Sequence, residues 1–391
     1  MAGNEGHQVS SKINADEFRE SLYFKGRFKG SRSSMRTNLR ETEAGVIVGR
    51  TVGIVLLVLG LLLAAGLCTA SAPNDNPIPN IFDPHSTPAD SLFHLSMFVL
   101  AICGVIFLVV GTLLVYAVVK FRARATDSPH EPPQVYGSTQ IELAWTVIPI
   151  LIVVVLVLAT TRVIHAVQDA KRPPNVVEVI AIGHQFWWEF RYPALGVVTA
   201  NELHIPVSDP ANPSPTFLKL LSADTDHSFW VPQLAGKTDL IPNRVNEMWM
   251  DPHRTGIFLG QCAQYCGTQH AKMLLLVSVD SPEDFKNWVN AQKLPAKQDD
   301  SVSAGRKVFE TTACINCHAV AGTAATGRFG PDLTHMMSRR TIAAGAAENT
   351  PENLGMWIQD PDMIKPGSLM PAMKLGDADL DALVRYLETL R

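Results

Sequence analysis

The chain has 391 residues, 47% of them hydrophobic and 18% charged, with a formal net charge of −4. At roughly 100–200 residues per domain, that length holds two or three domains. The apolar share excludes a disordered solvating chain, and the slightly acidic balance gives no support to a nucleic-acid partner. Six cysteines are too few for a disulfide scaffold.

Residues 1–45 are polar and basic, with Lys25, Arg27, Lys29, Arg32, Arg36 and Arg40. They show no periodic apolar face, so a disordered tail is expected there. The uncharged run Val52–Leu67 follows. Residues 46–72 fit either a late signal peptide, with Ala70, Ser71 and Ala72 at the cleavage site, or a short extra membrane span. Leu92–Val119 and Leu143–Thr161 contain no Asp, Glu, Lys or Arg. Both exceed the roughly 18 residues that identify a membrane helix. Lys120, Arg122 and Arg124 come directly after the first of these runs, so the connecting loop is expected in the cytoplasm. A two-helix hairpin over residues 85–168 is therefore predicted in a lipid bilayer, with the rest of the chain on the outer face.

Residues 173–292 carry short β-like runs, NVVEVIAIG, FWWEFRY, FLKLLS and MLLLVSVD, separated by Pro, Asn and Gly. That spacing predicts a small antiparallel sandwich or barrel. Phe285, Trp288 and Val289 share one helical face and predict a short closing helix. Residues 293–300 read as a linker. Residues 301–391 read as helical, ending in DADLDALVRYLETLR. In that segment Leu380, Leu383, Val384 and Leu387 form one stripe, and Asp377 is the expected N-cap.

Cys314, Cys317 and His318 form C-x-x-C-H, the attachment pattern of a c-type haem. Two thiols three residues apart reach two vinyl groups of one porphyrin, and the adjacent imidazole lies under the iron. A thioredoxin-like pair wants a βαβ context, which is missing, and a zinc site wants a second Cys/His pair in residues 319–391, which do not supply one. A sixth ligand that closes the iron is offered by Met370 or Met373 in I-K-P-G-S-L-M-P-A-M. Met336, Met337 and Met363 are expected to be packing residues. His335 is expected at the surface or beside the site.

A second constellation comprises Cys262, Cys266, His270 and Met273 in G-Q-C-A-Q-Y-C-G-T-Q-H-A-K-M, with His227 upstream. These are soft or borderline ligands. A tetrahedral zinc ion would take two Cys and two His and leave Met273 idle. Two copper ions bridged by both thiolates use all five, with one His on each metal, Met273 on one, and a backbone carbonyl on the other. A disulfide is the remaining reading of the pair.

Together these motifs resemble subunit II of the haem–copper cytochrome c oxidases, in the class with a fused C-terminal cytochrome c. Small bacterial cytochromes c share C-x-x-C-H, G-P-D-L at 330–333, and P-G-x-x-M-P, in which Met370 matches the ligand position. The oxidase subunits share H-S-F-W-V-P-x-L-x-G-K-x-D and C-x-x-x-C-G-x-x-H-x-x-M. The resemblance spans about residues 85–391. It implies a multidomain membrane protein: a two-helix transmembrane hairpin, an all-β cupredoxin-like sandwich over 173–292, and an all-α class I cytochrome c domain over 301–391. It also implies a dinuclear copper centre held by His227, Cys262, the main-chain carbonyl of Gln264, Cys266, His270 and Met273. Gln264 stands where many relatives have a Glu that helps hold magnesium at the contact with subunit I. A neutral amide is a weaker ligand for that hard cation, which argues against magnesium here. Phe186 stands where mitochondrial-type relatives have the Trp that accepts electrons from soluble cytochrome c. Trp187 and Trp188 are adjacent. Glu142 matches the acidic residue at the mouth of a proton channel of subunit I; as a plain interfacial charge it would also suit a helix N-terminus.

The expected function is electron input to a terminal oxidase. A haem c on this chain accepts electrons from a cytochrome c or a quinol-oxidising complex and passes them through the copper pair to haem a of subunit I. There oxygen is reduced to water and protons are pumped. Subunits I and III are the expected partners, in a bacterial cytoplasmic membrane with the copper and haem domains on the periplasmic face. The alternative is a membrane-tethered copper and haem electron carrier serving another reductase.

Overall fold

In a computed structural model, the described residues are 79–122, 134, 136–169, 172–174, 176–297 and 299–391. The tail expected over 1–45 and the cleaved or spanning segment expected over 46–72 lie outside them.

Helices α1 (Thr87–Lys120) and α2 (Thr139–Gln168) are long and apolar enough to cross a membrane. Their most apolar windows are entirely unburied, leaving the side chains free to face lipid. Helix α1 carries Pro88 in its first turn, where the missing N–H costs nothing. Asp90 in its first turn and Lys120 in its last both complement the helix dipole. Both helices are pinned to the outer domain. Ser86 Oγ accepts from the N–H of Asp251 at 2.9 Å, and the Thr87 hydroxyl donates to Asp251 Oδ2 at 2.5 Å. The Trp249 indole N–H donates to the carbonyl of Val167 at 2.5 Å.

The outer domain is a sandwich of two five-stranded sheets. Its strands are β1 (Glu178–His184), β2 (Trp187–Tyr192), β3 (Val197–Ala200), β4 (Glu202–Pro206), β5 (Thr216–Ser222), β6 (His227–Trp230), β7 (Thr238–Leu240), β8 (Asn246–Met250), β9 (Gly256–Cys262) and β10 (Leu274–Asp280). The sheet orders are β3-β2-β1-β5-β8 and β4-β10-β9-β6-β7. Strands β1 and β10 alternate buried and half-buried residues, as a strand with one face on a core must. Trp188, Phe190, Phe229 and Phe258 fill the space between the sheets, with Trp188 edge-on to Phe229 at 5.5 Å. The purely antiparallel expectation is corrected: β1 pairs with β5, and β4 with β10, in parallel. Alternation has the same period in both pairings, so sequence alone does not separate them. Helix α3 (Pro282–Gln292) closes one end, with Phe285 and Val289 buried and Ser281 capping the N–H of Asp284.

The last unit has its own core, built on Phe309, Val320, Leu354, Ile358, Leu383, Tyr386 and Leu387. Its elements are α4 (Ser303–Thr311), α5 (Cys314–Cys317), a ribbon of β11 (Thr341–Ile342) and β12 (Ala347–Glu348), α6 (Pro351–Gln359) and α7 (Asp377–Glu388). Three expectations change. Gly376 is the N-cap of α7, and Asp377 is its first helical residue, where it meets the helix dipole. His335 is buried, its ring nitrogens 2.8 Å from the carbonyl of Arg391 and 2.9 Å from that of Leu294. Met363 is 76% exposed and packs no core. The linker is laid on this unit: the N–H of Ala296 donates to Ala321, and Leu294 meets His335.

Helices α4 and α7 cross at Gly305, where an added Cβ would lie 1.9 Å from the carbonyl oxygen of Ala382. Gly305→Ala is expected to push the helices apart and destabilise this unit by about 1–3 kcal/mol. A lowered melting temperature and reduced haem attachment would report it.

Candidate metal and haem centres

Strand β9 ends at Cys262 and β10 begins at Leu274, so residues 263–273 form the loop between two paired strands. The N–H of Cys262 donates to the carbonyl of Met273 at 3.0 Å, closing the loop at its base. Gly267 turns the chain at a φ of +130°, open to glycine and rarely to other residues. The loop thereby brings four predicted ligands back on themselves. Cys262 Sγ and Cys266 Sγ are 3.8 Å apart, too far for a disulfide. Cys266 Sγ is also 3.8 Å from His270 Nδ1 and 3.8 Å from Met273 Sδ. Strand β6, beside β9, brings His227 Nδ1 to 3.9 Å from Cys262 Sγ. The carbonyl of Gln264 lies 3.1 Å from the same sulfur. All six predicted groups thus converge.

His227 is held from behind. Its Nε2 meets Asp224 Oδ1 at 2.8 Å, leaving Nδ1 to face the sulfurs. Asp224 also accepts from the N–H groups of Gln185 and Thr225 at 2.7 Å each. Gly183 lets the ring approach; a Cβ there would meet it at 2.8 Å. Asp224 is thus the carboxylate beside this ligand. The Cys266 hydrogen bond draws the Cys262 thiol far below the ordinary thiol range against the opposing effect of burial. The same neighbour, with burial, pushes Cys266 up. The lowered Cys262 thiol favours the thiolate, the form that ligates a metal. The donor set fits a thiophilic metal: at a metal–thiolate length of about 2.3 Å, one ion reaches both sulfurs.

The haem motif lies at a cavity of about 450 Å³ lined by Cys314, Cys317, His318, Met370 and Met373. His318 Nδ1 is 2.8 Å from the carbonyl of Pro331, which holds the ring and leaves Nε2 free. Burial lowers the imidazole below its ordinary value despite the Pro331 bond, so a neutral ring faces the cavity. Gly330 is needed beside it, since a Cβ there would meet the ring at 2.5 Å. Arg339 Nε and Ser368 Oγ are buried without partners, and both residues line this cavity. Two orphaned polar groups fit the carboxylates of a haem, because a buried donor without an acceptor is costly. The sequence reading missed both. Arg339 stands beside Arg340 with nothing in the spacing to separate them; only burial does.

The comparisons with known proteins match this arrangement in order along the chain. The description "Cytochrome C oxidase subunit II, transmembrane domain" matches residues 75–163, "Cytochrome C oxidase subunit II, periplasmic domain" matches 210–279, and "Cytochrome c" matches 302–391. Cytochrome c oxidase subunit 2 of Alkalihalophilus pseudofirmus is 34% identical over 79% of this chain and 90% of its own length. The chain belongs to the cytochrome c oxidase subunit II family. The Bacillus subtilis subunit 2 is 31% identical over 86% of this chain and 97% of its own. The solved periplasmic domain of subunit II from Bradyrhizobium japonicum is 29% identical, with a TM-score of 0.29, over 32% of this chain and 97% of that one. This is thus a haem–copper oxidase subunit with a fused cytochrome c domain, for which haem c and copper are the implied cofactors.

The other predicted residues fall as follows. Trp188 is sandwich core, fully buried, its indole N–H 3.4 Å from the carbonyl of Met273. Phe186 and Trp187 instead line the haem cavity from the copper side. Glu142 lies in the first turn of α2, far in sequence from both centres.

Asp224→Ala frees the His227 ring to rotate and is expected to weaken copper retention about 10–100-fold. Competition with a chelator, read against the unaltered protein, measures it.

Proposed function

We propose that this chain is the electron-input subunit of a terminal oxidase. Haem c would be held by Cys314, Cys317, His318 and Met370. A dinuclear copper centre would be held by His227, Cys262, Gln264 through its carbonyl, Cys266, His270 and Met273. Both groups supply reversible one-electron chemistry, which links a donor to haem a of subunit I, oxygen reduction and proton pumping. The donor is a soluble cytochrome c or a quinol-oxidising complex, and subunit III completes the assembly. The chain is placed in a bacterial cytoplasmic membrane as a multi-pass protein with both centres on the periplasmic side.

One observation carries this reading. The loop that brings His270 and Met273 to the sulfurs is packed directly against the loop that carries Met370. The N–H of Leu274 donates to the carbonyl of Ala344 at 3.0 Å, Lys272 Nζ donates to that of Ile364 at 2.6 Å, and the Gln269 amide donates to that of Pro366. From the other side, Glu202 Oε1 accepts the N–H groups of Arg340 at 2.6 Å and Thr341 at 3.1 Å. Two redox centres on one chain with facing ligand loops support relay between them. The residues of this chain position each centre: β9, β10 and β6 fix the sulfur site, and the haem cavity is lined by the helical core together with Phe186 and Trp187.

Metal analysis of the intact complex is the direct test. Two copper ions per haem c on this chain are expected; zinc in their place would end the reading. Met273→Leu is expected to keep haem c and perturb the copper near-infrared band, and an unchanged band removes Met273 from the ligand set. For Glu142 the proposed role is proton collection at the cytoplasmic mouth of subunit I. Glu142→Ala is expected to slow oxygen reduction while haem-to-copper transfer keeps its rate; unaltered turnover returns Glu142 to a helix N-terminal charge.

A further inference from the structure

Among the cross-unit contacts, one is unlike the rest. Lys365 is 2% exposed, a rare state for a lysine. Its Nζ donates to the carbonyl of Phe186 at 2.7 Å and to that of Ala343 at 3.0 Å. The first acceptor belongs to the copper unit and the second to the haem unit. Among the described residues no carboxylate forms an ion pair with it. A buried amine nitrogen resting on two carbonyls from different units does nothing for the core of either one alone. Both carbonyls lie beside the haem cavity, which Phe186, Ala343 and Lys365 all line. Phe186 also packs on the copper loop, where a Cβ on Gly267 would meet its ring at 3.0 Å. The neighbouring backbone is closely seated. A Cβ on Gly345 would lie 2.8 Å from Leu274, and one on Gly367 would lie 3.2 Å from Thr268. The other side-chain donors across the contact, Gln269 and the exposed Lys272, each reach one carbonyl, that of Pro366 and that of Ile364.

We propose that Lys365 is a positioning residue: it keeps the haem unit seated on the copper unit, so that electrons cross from a fixed docked geometry and not during encounters of a tethered domain. This rests on the relay reading above. Removing the amine leaves two buried carbonyls without their donor, a loss that favours opening of the contact. Lys365 touches neither set of proposed ligands, so both centres should form without it.

The test uses the intact oxidase complex. Haem c is reduced by a light pulse, and electron arrival at copper is followed optically. In the unaltered protein the transfer rate is expected to be independent of solvent viscosity. Lys365→Met is expected to lower it about tenfold, the order set by two lost buried hydrogen bonds, and to make it fall further with added glycerol. The absorption bands of both centres should stay where they were, which a merely damaged fold would not allow; the midpoint potentials are measured, and any shift from the altered cavity lining is allowed for in comparing the rates. If the Met variant does not assemble, Lys365→Gln carries the test, with a slowed and viscosity-dependent rate expected. Unchanged rates in the assembled variants, or transfer in the unaltered protein that already slows with viscosity, would overturn the proposal. Unaltered protein that shows no haem-to-copper transfer at all overturns the relay reading, and this inference with it.

Discussion

Everything in the outer part of this molecule depends on one loop being held at both ends. Residues 263–273 leave β9 and return into β10, and those strands are locked partners. Thiols, an imidazole and a thioether gain little by converging in a buried place, yet the two sulfurs lie 3.8 Å apart. The sheet imposes the convergence. His227 joins because β6 lies beside β9, and Asp224 fixes its ring.

The same loop is the platform for the haem unit. Its outer face, from Thr268 to Leu274, receives the segment from Ile364 to Gly367. Thus the loop performs two tasks at once. Inward it gathers sulfur and nitrogen around a metal site; outward it offers Gln269, Lys272 and the N–H of Leu274 to backbone carbonyls of the cytochrome. Phe186 and Trp187 extend that platform on the neighbouring hairpin. That face is occupied by the chain's own cytochrome domain.

The anchoring of the helices follows from the far side of the same sandwich. Ser86, Thr87 and Val167 bind β8 and the segment after it through Trp249 and Asp251. The apolar helices therefore emerge from a rigid domain and not from a flexible stalk. Two membrane-length helices, a sandwich and a cytochrome then form a continuous frame for the residues that the function requires.

Much of this was legible in the residues themselves. Hydropathy runs mark the helices because lipid tolerates only long apolar segments. C-x-x-C-H and the Cys, His and Met spacing are local chemistry, so they mark both centres without any fold. The strands FWWEFRY and MLLLVSVD announce themselves by composition, whereas β3, β6 and β7 are too short to show a period. What sequence could not decide was whatever depends on distant segments meeting. Parallel pairing of β1 with β5, the burial of His335, the contact of Asp224 with His227, and the unpartnered Arg339 Nε and Ser368 Oγ are all matters of which surfaces face each other. Lys365 is the sharpest instance. Along the chain it is one more lysine beside a proline; only the packing of one domain on another removes it from water and gives its amine a carbonyl on either side.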